Sequence, residues 1–250
     1  MTKDEAIAVL KGPYGRELQK VATDYTSVLF WAEHPAGERG PRIGHGSVFF
    51  LDLGYGILAV TADHVFQAYL DRKGEGSNLV CQIGKVRFDP EARLIDHDRN
   101  LDIATLRIEE RDLTNERKIA HRPATWPPKP PDQGKGIFFA GFPGVYRREL
   151  GPLELEWGSY FGISVATSVT DQYVAAQFER TEMVDILGTG LPPEGEWLGG
   201  LSGGPMWTLV ETEIFSWRLA GVIYEYSSDF EILFARRPDR LRPDGRLARL

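Results

Sequence analysis

Short apolar runs, separated by glycine, proline and polar residues, follow one another along the chain from residue 26 onward. Their length and spacing are typical of β-strands. The strands predicted in the first half are Thr26–Ala32, Gly46–Asp52, Tyr55–Thr61, Asn78–Gly84, Lys85–Phe88 and Asp102–Ile108. Those predicted in the second half are Gly136–Gly141, Gly162–Val169, Val174–Phe178, Pro205–Val210 and Leu219–Tyr226. Many short strands at regular spacing predict an all-β barrel or sandwich.

Two segments depart from this pattern. Residues 3–21 carry a weak helical periodicity, which Gly12 and Pro13 interrupt. Residues 120–131 contain five prolines and therefore cannot form a central strand or the interior of a helix. The predicted order is an N-terminal extension over 1–24, a β unit over 25–119, a semi-rigid linker over 120–133, a second β unit over 134–235 and a basic tail over 236–250.

The composition fits this organisation. With 42% hydrophobic and 26% charged residues, the chain has the make-up of an ordinary globular protein, and its 27 glycines and 16 prolines suit a turn-rich β fold. The net charge of −7 argues against nucleic acid as the main partner. The last fifteen residues are locally basic, and we interpret them as a solvated segment rather than a contact surface.

The cysteine count and the N-terminus bear on location. Cys81 is the one cysteine, so no intrachain disulfide can form, which favours a reducing compartment. The N-terminal residues are acidic where a signal peptide is basic, and no apolar run approaches the length of a membrane helix. These features predict a cytoplasmic protein without a membrane partner. No cysteines and histidines stand at metal-ligand spacing, so we expect no metal and no cofactor.

The run Gly-Gly-Leu-Ser-Gly-Gly-Pro at residues 199–205 carries the clearest chemical signal. Ser202 stands among four glycines, which allow the backbone to approach another molecule closely. We predict that Ser202 is a nucleophile and that the N–H groups of Gly200 and Ser202 form an oxyanion hole. A serine in a glycine-rich turn without catalytic function is the simpler alternative.

Two further residues could complete a triad. His64 ends the apolar strand that finishes with Thr-Ala-Asp, and we predict that it is the general base. The other histidines lie in polar or proline-rich contexts: His34, His45, His97 and His121. Asp102 directly precedes a buried strand, where a carboxylate needs a partner, so we predict that it orients His64. Asp98 is the alternative carboxylate.

The order of these residues along the chain excludes one other fold. Gly-x-Ser-x-Gly also occurs in the α/β-hydrolases, where the catalytic histidine follows the serine. No histidine follows Ser202, since His121 is the last one. An intact α/β-hydrolase triad is therefore excluded.

Together these motifs resemble those of the chymotrypsin-like (trypsin-like) serine peptidases. Thr-Ala-Asp-His at residues 61–64 is similar to the family's T-A-A-H, Asp-Ile-Ala at 102–104 to D-I-A-L, and residues 200–205 to G-x-S-G-G-P. Gly-Phe-Pro-Gly at 141–144 resembles a turn of bacterial intracellular members. The resemblance implies two six-stranded antiparallel β-barrels with the active site in the cleft between them, plus short helical segments at both ends.

The departures from the family concern regulation. Leu201 stands where digestive members have an aspartate that pairs with a freed N-terminus, so that route of activation is absent. Asp63 replaces a small residue beside the histidine and adds a negative charge that is expected to raise the pKa of His64. An activating protein partner is one way in which activity could be restrained.

The resemblance implies an endopeptidase that acts on a protein or peptide through an acyl-enzyme. It also places a substrate-binding region at Glu196, Ile223, Tyr224 and Glu225. Residues 223–225 are expected to pair with the substrate backbone, and either glutamate could favour Lys or Arg at the cleaved position, unless both face solvent. A latent peptide-binding module and an esterase are the alternative functions.

Overall fold

The computed structural model describes residues 3–33, 42–76, 78–151, 154–186, 190–191, 198–210 and 216–249. Two antiparallel β units follow two N-terminal helices, α1 Lys3–Leu10 and α2 Pro13–Asp24. Proline opens α2, where the missing N–H would have no helical partner. None of the described helices is long and apolar enough to cross a membrane.

The first unit is a seven-stranded sheet with the order β5-β4-β1-β2-β3-β7-β6. Its strands are β1 Thr26–Glu33, β2 Ile43–Asp52, β3 Ile57–Thr61, β4 Leu79–Ile83, β5 Val86–Arg87, β6 Leu94–Asp98 and β7 Ile103–Arg107. Two helices lie between these strands, α3 Asp63–Gly74 and α4 Pro90–Arg93, and α5 Glu110–Glu116 follows the last strand. All six predicted strands are present. The additional strand is β6, whose sequence Leu-Ile-Asp-His-Asp is too polar for its apolar pattern to indicate a strand.

The second unit is a closed six-stranded barrel with the order β11-β12-β15-β14-β13-β8. Its strands are β8 Gly136–Gly141, β11 Tyr160–Val169, β12 Tyr173–Gln177, β13 Pro205–Val210, β14 Ser216–Ser227 and β15 Ile232–Arg236. A separate hairpin pairs β9 Arg147–Gly151 with β10 Glu154–Trp157. The closed six-stranded barrel beside a second antiparallel sheet confirms the all-β class and is consistent with a chymotrypsin-like double-barrel fold. The first unit has seven strands where six were expected.

One apolar core joins the two units. Phe49 of β2 and Phe138 and Trp207 of the barrel are fully buried in the same cluster. Leu18 of α2 is fully buried there as well, so the N-terminal extension is part of the packing rather than an appendage. Close packing of this kind fixes the two units relative to each other. Loops contributed by both can therefore form one site.

The basic C-terminal segment is packed, and the expectation that it is solvated is wrong. Leu241 and Leu247 are buried in the shared core. The carbonyl of Gly245 accepts a hydrogen bond from Oγ1 of Thr105 at 2.6 Å, and the N–H of Leu247 donates to Asp96 at 2.9 Å. The leucines alternate with the arginines, so apolar side chains pack inward while charges remain outside. The segment returns from the barrel to the first sheet.

The proline-rich segment is anchored to the first sheet through His121, to the C-terminal segment through Trp126 and to the barrel through Arg218, which donates to the carbonyl of Pro130 at 3.4 Å. His121 donates its backbone N–H to the carbonyl of Phe50 and accepts from the N–H of Asp52, both at 2.9 Å. Nε1 of Trp126 donates to the carbonyl of Leu241 at 2.7 Å. The segment thus follows the surface of both units on its way from one to the other.

His121 makes stability depend on pH. Its side chain is 7% exposed and packs edge-on against Tyr25 and Trp207, and burial lowers its pKa from 6.5 to about 4. The unfolded chain therefore binds more protons than the folded chain between these values, and stability falls as the pH falls. We expect a loss of about 3 kcal/mol in the free energy of unfolding between pH 7 and pH 4 from this residue.

Urea unfolding of the wild type and of His121→Phe at both pH values measures this contribution. Phenylalanine keeps the ring contacts but cannot take up a proton, so the variant should lose correspondingly less stability on acidification. Equal losses in the two proteins would contradict the assignment.

Candidate active site

His64 and Asp102 form a pair at the edge of the first unit. His64 is the second residue of α3, and Asp102 lies in the turn before β7. One carboxylate oxygen of Asp102 is 2.8 Å from Nδ1 of His64, and the other accepts the backbone N–H of His64 at 2.9 Å. The carboxylate therefore fixes both the ring and the start of the helix. With Nδ1 protonated toward Asp102, Nε2 is left to accept a proton.

The pair raises the pKa of His64. The hydrogen bond that Nδ1 of His64 donates to Asp102 is the largest cause, and the charges of Asp102 and Asp63 add to it, while burial opposes them. The raised pKa means that the imidazolium is stabilised, as a base needs when it takes up a proton. The expected effect of Asp63 has the predicted sign, but it is the smallest of the causes.

Asp98, the alternative carboxylate, and Asp63, the neighbour of His64 in the chain, have other partners. Oδ1 of Asp98 accepts the N–H groups of Asn100 and Leu101, at 2.8 and 3.0 Å, and so closes the turn that leads to Asp102. Asp63 is 2% exposed and is bonded to Nδ1 of His97 at 2.9 Å. Of the two candidate carboxylates, Asp102 is the one that meets His64.

Residues 199–204, the Ser202 loop, are held against the strands that lead to His64. The carbonyl of Ser202 accepts the N–H of Ser47 at 2.8 Å, and the N–H of Gly203 donates to Ile223 at 2.7 Å. A Cβ on Gly203, which has φ +86°, would lie 2.3 Å from Oγ1 of Thr61. Glycine is therefore required for this close approach. The loop places Ser202 beside the segment that ends in His64.

The hydroxyl of Ser202 is directed at a backbone carbonyl. It donates to the carbonyl of Tyr224 at 3.4 Å, which is longer than a typical O–H···O bond of about 2.7 Å. Among the residues that the structure describes, no hydrogen bond joins this hydroxyl to His64. The structure thus holds the Ser202 loop against Ser47, while the Ser202 hydroxyl is bonded to Tyr224 and not to His64. In a site without substrate such bonds are often long or poorly aligned.

The two predicted oxyanion donors have no acceptor among the described residues. Within the described ranges, neither the N–H of Gly200 nor that of Ser202 donates a hydrogen bond. The carbonyl of Gly199 accepts the N–H of Gly144 at 2.9 Å. Because carbonyl and N–H point in opposite directions across a trans peptide, this bond turns the N–H of Gly200 away from Gly144. The peptide is thus held in one orientation with its donor free.

Ser47 and His45 support the same loop from β2, and no sequence motif indicated either residue. Oγ of Ser47 donates to the carbonyl of Gly200 at 2.6 Å and accepts the N–H of Phe142 at 2.9 Å. His45 packs against Trp157 with a ring separation of 4.8 Å, and burial, helped by Arg147, lowers its pKa. Such contacts join segments about 150 residues apart, and a local pattern cannot reveal them.

Gly200 is expected to tolerate no side chain. Its φ is +106°, and a Cβ would lie 2.4 Å from Nε2 of His45 and 2.5 Å from the carbonyl of Phe142. In Gly200→Ala the peptide must move and the donor is lost, so kcat should fall roughly 10²- to 10³-fold. Steady-state hydrolysis of a peptide ester by the folded variant measures the effect.

Gly151→Ala is the matched control, because a Cβ there meets no atom within 4 Å. It should keep the kcat of the wild type. An unchanged kcat in Gly200→Ala would show that this peptide supplies no catalytic donor.

The four predicted substrate-binding residues lie in different surroundings. Glu196 lies outside the described residues. Glu225 is exposed on β14. The N–H of Ile223 donates to the carbonyl of Gly204 at 2.8 Å, and its carbonyl accepts from Gly203, so its N–H cannot pair with a substrate strand in this state. Tyr224 lies at the irregularity in the β14–β15 pairing, and its carbonyl accepts the Ser202 hydroxyl.

Comparisons with known proteins concern the overall fold. No protein-family model matches the chain, and no curated protein matches it. Among solved structures, the Rv3671c protease from M. tuberculosis in its active form is 17% identical, with 90% of this chain and 82% of that chain covered and a TM-score of 0.40. Deg5 is 18% identical, with 96% and 92% covered and a TM-score of 0.48. At this level of similarity, the chemistry of the site has to be argued from its own geometry.

Proposed function

We propose that this protein is a serine endopeptidase that works through an acyl-enzyme. The observation that carries the proposal is the His64–Asp102 pair at 2.8 Å beside a loop that presents Ser202 and two free N–H groups. A nucleophile, a base held in one tautomer and a pair of oxyanion donors are the parts that acyl transfer needs.

In the proposed reaction the Ser202 hydroxyl first turns from the Tyr224 carbonyl toward Nε2 of His64. Oγ attacks the scissile carbonyl while His64 takes the hydroxyl proton, and the N–H groups of Gly200 and Ser202 receive the oxyanion. His64 then protonates the leaving amine as the C–N bond breaks. Water, deprotonated by His64, attacks the acyl carbon, and His64 returns the proton to Oγ of Ser202 as the C–Oγ bond breaks. Asp102 remains ionised and stabilises the imidazolium in both steps.

A latent peptide-binding module is the second candidate. It is favoured by one observation, the bond of the Ser202 hydroxyl to Tyr224 in place of His64. In that case the cleft holds a peptide without cutting it, or an activating partner turns the hydroxyl. A peptide or protein ligand and a cytoplasmic location belong to both proposals.

The test is acylation of the native protein by a fluorophosphonate probe, followed by tandem mass spectrometry to identify the modified residue. Modification of Ser202 alone is the expected result, because the probe reacts only where a base and an oxyanion hole activate the hydroxyl. Absence of labelling in a folded protein would reject the endopeptidase proposal for the isolated chain and support the binding module.

A further inference from the structure

We propose that Arg236 is a positioning residue that holds the Asp102 turn and the Tyr224 carbonyl in register across the two β units. The proposal rests on the endopeptidase function and names a residue outside the triad on which that site depends. Arg236 is the last residue of β15 in the barrel, whereas Asp102 belongs to the first sheet. The side chain therefore bridges the two units.

Arg236 contacts the turn that carries the acid. Its Nε donates to the carbonyl of Leu101 at 2.9 Å, and Leu101 directly precedes Asp102. On the other side, Oδ1 of Asp98 accepts the N–H of Leu101 at 3.0 Å. Both backbone groups of Leu101 are therefore hydrogen-bonded: its N–H to Asp98 of the same loop, and its carbonyl to Arg236 of the barrel.

The turn needs this support because its backbone is strained. Asp102 has φ +51°, in the left-handed region that most non-glycine residues avoid and that aspartate and asparagine enter more often than the others. Such a conformation persists only where the surroundings determine it. The Asp102 carboxylate accepts hydrogen bonds from both the ring and the backbone N–H of His64. A rotation of the Asp102 backbone would break these bonds.

The Arg236 side chain also contacts Tyr224, whose carbonyl lies beside Ser202. The guanidinium carbon of Arg236 lies 4.7 Å from the centre of the Tyr224 ring, and the carbonyl of Tyr224 accepts the Ser202 hydroxyl. One residue therefore touches the segment beside the acid and the segment beside the nucleophile. A planar guanidinium can donate at its edge and stack with its face at once, which a lysine ammonium cannot do.

The experiment compares Arg236→Met and Arg236→Lys with Arg237→Met. Arg237 is the matched control, because it is the next residue along the chain and bonds to Thr170 of the barrel at 3.0 Å rather than to the Asp102 turn. Two readouts are taken on folded protein: the pKa of His64 from an NMR titration, assigned with His64→Ala, and the kinetics of peptide-ester hydrolysis over pH.

In Arg236→Met we expect the pKa of His64 to move down toward its ordinary value of 6.5, because Asp102 meets the ring less often. The acid limb of kcat/KM should move with it, and kcat should fall roughly ten- to a hundredfold with little change in KM. Arg236→Lys should recover part of the shift, and Arg237→Met should show neither effect.

The titration does not require turnover. If the wild type hydrolyses nothing, the endopeptidase function fails while the pKa of His64 still reports on Arg236. An unchanged pKa of His64 in Arg236→Met overturns the positioning role. So does an equal loss of kcat in Arg236→Met and Arg237→Met without movement of the acid limb, since that result reflects barrel stability alone.

Discussion

Ser202→Ala and His64→Ala are each expected to abolish fluorophosphonate labelling and to reduce kcat by on the order of a millionfold. The nucleophile and the base act as a unit, so the loss of either removes nearly the whole covalent route. The residual rate comes from the oxyanion donors and from binding alone. Labelling is measured by gel fluorescence at several probe concentrations, with folding checked by circular dichroism.

Two substitutions serve as controls for this series. His97 is also bonded to an aspartate through Nδ1, but its partner is Asp63, and Ser164 donates to the carbonyl of Gln177 in the barrel. His97→Ala and Ser164→Ala should both remain labelled. Labelling that survives Ser202→Ala would place the reactive hydroxyl elsewhere and contradict the proposed nucleophile.

Asp102→Asn is expected to lower kcat by about four orders of magnitude. An amide at this position can donate to Nδ1 of His64, which holds the wrong tautomer and leaves the imidazolium without its counter-charge. Asparagine is among the few residues that accept a positive φ, so the backbone at φ +51° should survive the change. The loss would then report on chemistry rather than on folding.

The pH dependence gives this prediction a second measurement. Asp102 raises the pKa of His64, and the base works only when it is neutral, so the wild type should gain activity as the pH rises through that raised pKa. In Asp102→Asn the acid limb of kcat/KM should lie at lower pH. Asp98→Asn, at the alternative carboxylate, should lose far less activity. A greater loss in Asp98→Asn than in Asp102→Asn would reverse the assignment.

The sequence predicts the parts of this molecule that depend on local pattern. The apolar runs predict eleven of the strands, and three short motifs single out His64, Asp102 and Ser202, two of which the structure joins at 2.8 Å. Strand β6 was missed because its polar residues, half-buried at the edge of the sheet, break the apolar alternation. Strands β9, β10 and β15 were not predicted either.

What remained unpredicted depends on contacts between distant segments. Ser47 meets Gly200 across 153 positions, and Arg236 meets Leu101 across 135. Serine and arginine at these positions look like ordinary surface residues, since no motif marks either one. The Ser202–Tyr224 bond is likewise set by how β14 approaches the loop, which the order of residues does not encode locally.

The return of the C-terminal segment to the first sheet also affects the order in which the chain can fold during its synthesis. Thr105 and Asp96 bond to residues 140 and 151 positions further along, so the sheet that carries His64 leaves the ribosome long before its last contacts exist. At about 5–20 residues per second, the delay is roughly 7 to 30 s. During translation the first sheet therefore lacks the hydrogen bonds from Thr105 to Gly245 and from Leu247 to Asp96 until residues 241–247 have folded back onto it.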